Sequence, residues 1–384
     1  MNRLLIALFA LNVLFSCSEK DQNISENAAD FSLEIVDSMR IDYLGNLRIM
    51  DYDSVSRSFL AWISREKRVL IINEDGRIAS NFAFPLEGPE SMNGWVNPIA
   101  LRNGKVELNV ANQGFFRYDF EGNRIWEYKL PYEYYYLNGL KGDPIFSLGK
   151  EMAFIRPEQG EMDWDAGYKS LFEGVYSKSI LEVIDTVSNA TRETMPFPPN
   201  SMYSDGNFYY WMFPTVIQSG KEWLLYFRNE MKFWVYKEDA GEVNFQREVS
   251  LEVSDGVKAI GVAFEQEQEY AEITKNNFPG TIREIYKSTD KTIVIYTKGI
   301  SEELTREIDR DEPDGRLELE KLKNYYVAVF DGEFKLLQKD IPVPKGLIFT
   351  TIITEDDEIL ALKHTDFFQT EDDFVIYYKL KLLN

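Results

Sequence analysis

From Phe31 onward, apolar and polar residues alternate in short runs rich in aromatic and β-branched side chains, separated by Gly, Asn and Asp. Successive side chains of an extended chain point to opposite faces, so each run predicts a strand and each Gly/Asn/Asp cluster a turn. The runs recur in one order. In the clearest copy, residues 97–101 open, Asn103-Gly104 turns, and 106–111 form a strong central strand. Residues 112–114 then turn, 115–120 return, 121–123 turn again, and 124–130 run out to Pro131. Four antiparallel strands in so short a stretch make one propeller blade, for which related repeats run to about 40–50 residues.

Five further stretches repeat this order: Asn46 to Phe84, Pro144 to Pro196, Pro214 to Val253, Thr281 to Pro342 and Leu347 to Leu382. The last is one strand short, while Phe31 to Ile35 alternates correctly and has no blade of its own. An unpaired edge invites aggregation, and a closed ring removes it. The expected fold is therefore all-β, a six-bladed β-propeller over residues 31–384, with Phe31 to Ile35 completing the last blade beside Phe374 to Leu382. The central strands are centred near Ala61, Leu108, Phe154, Leu225, Ile295 and Ala361, at intervals of 47, 46, 71, 70 and 66 residues. Two intervals are bare blades and three carry insertions.

In a propeller, the connection between the second and third strands of a blade opens on the same face as the connection to the next blade. The long insertions obey this rule: 156–178 and 298–324 are of the first kind, 199–213 and 254–280 of the second. Helical or irregular insertions are thus expected on one face. Ser301 to Lys323 reads as a charge-laced surface helix broken near Pro313-Asp314-Gly315, and Gln266 to Asn276 as a short capping helix. Loops held by a rigid scaffold carry function, and aromatic side chains give large contact area at low entropy cost. Trp95, Tyr134, Tyr135, Tyr136, Tyr203, Tyr209 and Trp211 are accordingly the candidate ligand-binding residues, with packing of the insertions onto the ring as the competing role for each.

The first residues follow a different pattern. Arg3 precedes an apolar run from Leu4 to Phe15, interrupted only by Asn12. That is shorter than the roughly 20 residues a spanning helix needs, and it reads as an export signal. Leu14-Phe15-Ser16-Cys17 resembles the lipobox of bacterial lipoproteins. The resemblance implies cleavage before Cys17, diacylglycerol on its thiol and acylation of the new amine. Residues 1–16 would then be a signal peptide, and 17–30 an acylated cysteine with a polar tether too poor in apolar side chains to fold. The expected address is the bacterial cell envelope, lipid-anchored and at the outer membrane, on either its periplasmic or its surface side. Two or three acyl chains hold a protein there stably where one does not.

Composition narrows the partners. Cys17 is the only cysteine, so stability must come from burying the 44% of residues that are hydrophobic rather than from an internal disulfide. With 64 acidic against 42 basic residues the formal charge is −22. Such a body repels nucleic acid and anionic lipid at long range, so no nucleic-acid partner is expected and the membrane is reached through the anchor.

Blade pattern and lipobox together resemble the propeller-type lipoproteins of Gram-negative envelopes, many of them grouped only as a domain family of unknown function. That resemblance carries no catalytic motif with it. His364 is the only histidine, which excludes a multi-histidine metal site and leaves it as a residue at the rim of the sixth blade. Neither a Gly-x-Ser-x-Gly elbow nor a Gly-x-x-x-x-Gly-Lys loop occurs. The expected function is a non-catalytic binding or scaffold propeller, without a cofactor, for an envelope protein, peptide or glycan. The alternative is a calcium-dependent lactonase or esterase, since some six-bladed propellers hold calcium in the central channel. Glu90, Asn138 and Asp143 are the metal candidates near blade openings, although turns and caps demand the same residue types.

Overall fold

The computed structural model describes residues 30–88, 91–92, 94–135, 141–160 and 167–384. The leader with Cys17, together with Glu90, Tyr136 and Asn138, lies outside the described residues. Phe31–Asn384 forms one structural unit.

Six four-stranded antiparallel sheets follow one another along the chain. Their innermost strands are Arg48–Asp53, Val96–Arg102, Phe146–Leu148, Pro214–Ser219, Phe278–Lys287 and Leu347–Ile353. The molecule is a six-bladed β-propeller. Within a blade, burial follows strand position. The second strands, such as Ser58–Ile63 and Glu222–Phe227, are covered on both faces by neighbouring blades and are apolar almost throughout. All six expected central positions, Ala61, Leu108, Phe154, Leu225, Ile295 and Ala361, are 1% exposed or less. Outer strands such as Ile78–Ala83 and Glu242–Ser250 meet solvent and are largely polar or half-exposed.

Ring closure occurs as the missing strand required. Ser32–Ile41 pairs antiparallel with Val375–Leu383, from Ser32 opposite Leu383 to Ile41 opposite Val375. The closing strand is longer than its alternating first five residues indicated, because a bulge between Ile35 and Asp37 resets the alternation and hides its second half from a period-two reading. Phe31, Leu33, Met39 and Ile41 are buried by the closure. Since Val375–Leu383 runs away from the insertion-bearing face, its antiparallel partner enters the ring on the opposite face.

That opposite face has only tight turns, such as 54–57, 103–104 and 240–241. The other face carries 156–160, 167–180, 195–213, 251–277 and 301–324, with helices Gly167–Val175, Tyr270–Ile273, Glu302–Thr305 and Pro313–Leu322. Pro313 begins the last of these rather than breaking it, because the first helical turn needs no N–H from that residue. Gly315 is required there for space: a Cβ would stand 1.8 Å from the Asp309 carbonyl oxygen. One element has no counterpart in the sequence pattern. Tyr134–Tyr135 and Glu158–Gln159 form a two-stranded ribbon, too short for any periodicity to show.

Candidate functional site

Three insertions of blades three and four build a cap on the insertion-bearing face. Phe208 and Val262 exchange backbone N–H to carbonyl bonds of 2.7 and 3.1 Å, tying the 195–213 connection to the 251–277 connection. The Tyr209 N–H donates to the Tyr176 hydroxyl at 3.2 Å, that hydroxyl donates to the Tyr210 carbonyl, and the Tyr270 hydroxyl donates to the Tyr209 carbonyl at 3.1 Å. Around these bonds Phe172, Tyr176, Tyr203, Phe208 and Phe264 form a buried aromatic cluster continuous with the blade core. Phe172 packs edge-on to Phe208, their ring centroids 5.1 Å apart. Gly261 lets the Tyr209 ring approach, since a Cβ would lie 2.5 Å from its Cζ. Polar backbone that a loop would otherwise expose is satisfied within the cap, which fixes the walls of what lies beside it.

Beside it, between blades four and five, is a recess of about 410 Å³. This falls within the range of about 300–1,000 Å³ typical of ligand pockets. Tyr210, Trp211, Tyr270 and Tyr325 supply its aromatic wall, and Arg228, Arg283, Arg310 and Lys323 its charge. Among the described residues no carboxylate lines it. Tyr210 and Tyr270 are stacked at 6.3 Å, and Tyr210 and Trp211 meet edge to face at 5.5 Å. Arg310 is occupied by the Lys275 carbonyl at 3.0 Å and Lys323 by Glu320 at 2.6 Å. Arg228, on the exposed turn after Phe227, accepts the Ile282 N–H at its backbone carbonyl at 2.9 Å, while its guanidinium has no hydrogen-bond or ion-pair partner among the described residues. Crowding removes part of its hydration, and the Arg283 guanidinium repels it; both lower its pKa below the ordinary arginine value.

Arg283 also opens onto the central channel, so recess and channel meet there. Inside, Glu284 is 2% exposed and is held by Lys141 at 2.6 Å, by the Tyr226 hydroxyl at 3.3 Å and more distantly by Arg283 at 3.8 Å. Burial lowers the Lys141 pKa, and Glu284 opposes that shift. Toward the tight-turn face the channel is acidic. Burial first, then the Asp143 charge, push the Asp51 carboxyl up to about 7, against the Leu101 N–H that donates to it at 2.7 Å. Asp143 is paired with Arg102 at 2.6 Å.

The expected aromatic residues separate into groups. Tyr203, 2% exposed, and Tyr134, 6% exposed, are packed in core clusters and offer almost no ring to a ligand. Tyr135 sits in the ribbon opposite Glu158. Tyr209 and Trp211 line the recess, Tyr209 with its hydroxyl donated to Asp205 at 2.6 Å and Trp211 half-exposed against Phe172. Trp95, 73% exposed, lies on the connection from blade one to blade two, apart from that group. Of the metal candidates only Asp143 falls within the described residues, where its partner is a guanidinium. Among the described residues no three His, Cys, Asp or Glu side chains gather as a cation site. His364 caps the short helix Thr365–Phe368, its Nδ1 accepting from the Phe367 N–H at 3.2 Å.

Arg228 and Arg283 escaped the sequence reading. They lie 55 positions apart, one on a turn and one inside an inner strand, and only the packing of blade four on blade five brings them together. An arginine placed on a turn of the insertion-bearing face in so acidic a chain was the available signal.

No known family model matches this sequence, and no curated protein matches it. Solved structures do. A member of the DUF4221 family from Bacteroides vulgatus superposes with a TM-score of 0.65 at 11% identity, over 93% of this chain and 100% of that one. A protein of Bacteroides fragilis inferred to be exported superposes with a TM-score of 0.53 at 12% identity, over 92% and 96%. At these identities the likeness is one of fold, and it sets this six-bladed β-propeller beside architectures already seen in Bacteroides proteins.

Proposed function

We propose that this protein is a lipid-anchored protein of the bacterial envelope whose propeller binds a ligand, without catalysis, on its insertion-bearing face. The observation that carries the binding reading is the recess beside the cap, where aromatic rings and cations converge and no carboxylate of the described residues intrudes. A rigid ring supplies the walls, and the hydrogen-bonded cap holds Tyr210 and Trp211 in place before any ligand arrives, which spares the entropy of ordering them on binding. The lipobox-like Leu14 to Cys17 supports the anchor, and the inferred export of the B. fragilis structural neighbour agrees with an envelope address. No helix among the described residues is long and apolar enough to cross a membrane.

Two measurements test this. Cys17→Ser should abolish acyl labelling and release the protein from the membrane fraction; retention there would refute the anchor. For binding, a thermal-shift screen of glycans and envelope peptides should yield a ligand whose affinity falls about tenfold or more in Trp211→Ala or Tyr210→Ala, with melting unchanged. Indifference of every ligand found to both substitutions would reject the recess.

A further inference from the structure

Charge in the recess is out of balance. Lys141, Arg228 and Arg283 act on one another electrostatically around a single carboxylate, Glu284, which Lys141 already engages at 2.6 Å. Arg283 sits 3.8 Å from that carboxylate, beyond hydrogen-bond reach, with its Nη2 3.5 Å from the Phe349 carbonyl. The Arg228 guanidinium has no hydrogen-bond or ion-pair partner among the described residues. Like charges held near one another repel, and an anion placed between them relieves that repulsion. A chain with 64 acidic residues does not lack the means to supply one. Among the described residues it places none on the recess wall.

The remaining wall indicates what the anion is attached to. Tyr210 and Trp211 form an aromatic rim, against which the C–H face of a sugar ring can lie. Asn229, Thr281 and Thr297 bring amide and hydroxyl groups to the same space, suited to ring hydroxyls. Guanidinium forks match a carboxylate with two parallel hydrogen bonds. We infer that the recess takes an acidic saccharide, its carboxylate between Arg228 and Arg283 and its ring against Tyr210 and Trp211. This rests on the reading of the recess as the binding site and adds the class of ligand.

Calorimetric titration of the full-length protein with trigalacturonate and with its methyl ester tests the inference. The expected result is binding of the acid, at least tenfold weaker binding of the ester, and at least tenfold loss of acid binding in Arg228→Gln. That substitution lies on an exposed turn and removes an unmatched charge, so melting should be unchanged or raised; Arg283→Gln serves as the second variant. Equal binding of acid and ester, both lost in Trp211→Ala, would overturn the charge assignment and leave the binding site standing. Absence of heat with either sugar would overturn the saccharide, and the binding site itself would still be judged by the wider ligand screen. Binding of a short peptide through its C-terminal carboxylate in the sugar's place, with the same dependence on Arg228, would also overturn the saccharide.

Discussion

Blades six, one and two differ from blades three, four and five in what lies above them. In the first group, the connections 64–67, 111–113 and 343–346 barely clear the ring, and 364–374 adds one short helix, Thr365–Phe368. In the second, 156–160, 167–180, 195–213 and 251–277 form a cap with its own aromatic cluster. The strands beneath are alike: Phe59 and Leu60 in the bare half are as buried as Trp223 and Leu225 in the capped half. The cap is therefore not needed to complete a blade. What it adds is a wall, and the recess with its cations stands against that wall.

The largest effect expected lies at the closure of the bare half. Deleting residues 18–28 should leave melting nearly untouched, whereas deletion through residue 40 removes Phe31, Leu33 and Met39 and bares the Val375–Leu383 edge. Each buried apolar side chain is worth about 1.5–3 kcal/mol, so the longer deletion should cost more than any single core substitution and promote aggregation. Equal melting temperatures for the two truncations would break the closure argument.

Phe59→Ala and Phe208→Ala compare the halves directly, since both rings are fully buried. In the ring, Phe59→Ala should lower global stability by about 3–5 kcal/mol. In the cap, Phe208→Ala should open 167–180 and 251–277 to protease while shifting the main transition less, as a locally unfolding unit does. A full shift of the main transition by Phe208→Ala would mean that cap and ring unfold together.

A smaller effect is expected in the acidic end of the channel. The native state keeps the Asp51 proton up to a pH of about 7, whereas the unfolded chain releases it near 4. Stability should fall as pH rises through that interval and level off above it. Asp51→Asn retains an acceptor for the Leu101 N–H, so it should flatten this slope and stabilise the protein at pH 8 by about 1–3 kcal/mol. Urea melts at pH 5 and pH 8 measure it; an unchanged slope in the variant would show that Asp51 is ionised in the native state. The mildest effect on the fold should come from Trp211→Ala, which leaves melting unchanged and costs about 2 kcal/mol in ligand binding.

How far each half was legible follows from the same contrast. A blade is local: its strands succeed one another along the chain and its turns carry Gly, Asn and Asp, so Asn103-Gly104 and Asn112 to Gly114 announce themselves. Even closure could be read, because a blade one strand short and a strand without a blade demand each other. The cap is not local. Tyr203 and Tyr209 look equally exposed in a loop sequence, and only contacts from Tyr176, Phe227 and Gly261 decide that both turn inward. Arg283 was hidden in another way, inside a strand whose apolar neighbours Ile282 and Ile285 mark it as core. Residue type indicates that a strand is buried. It does not indicate which of its side chains turns toward the axis.

The closing strand has a mechanical consequence. Its first hydrogen-bonded neighbour is at Leu383, the far end of its partner, and the chain enters there on the face of tight turns. A pull on the entering chain, directed along the strand and away from the ring, runs perpendicular to the hydrogen bonds of that ladder and loads them together in shear rather than one after another. A ring held this way shares a steady drag over the whole ladder, and the load falls on one blade. A hold applied through this side would leave the cap and its recess on the opposite face, so that grip and recess would not compete for the same surface.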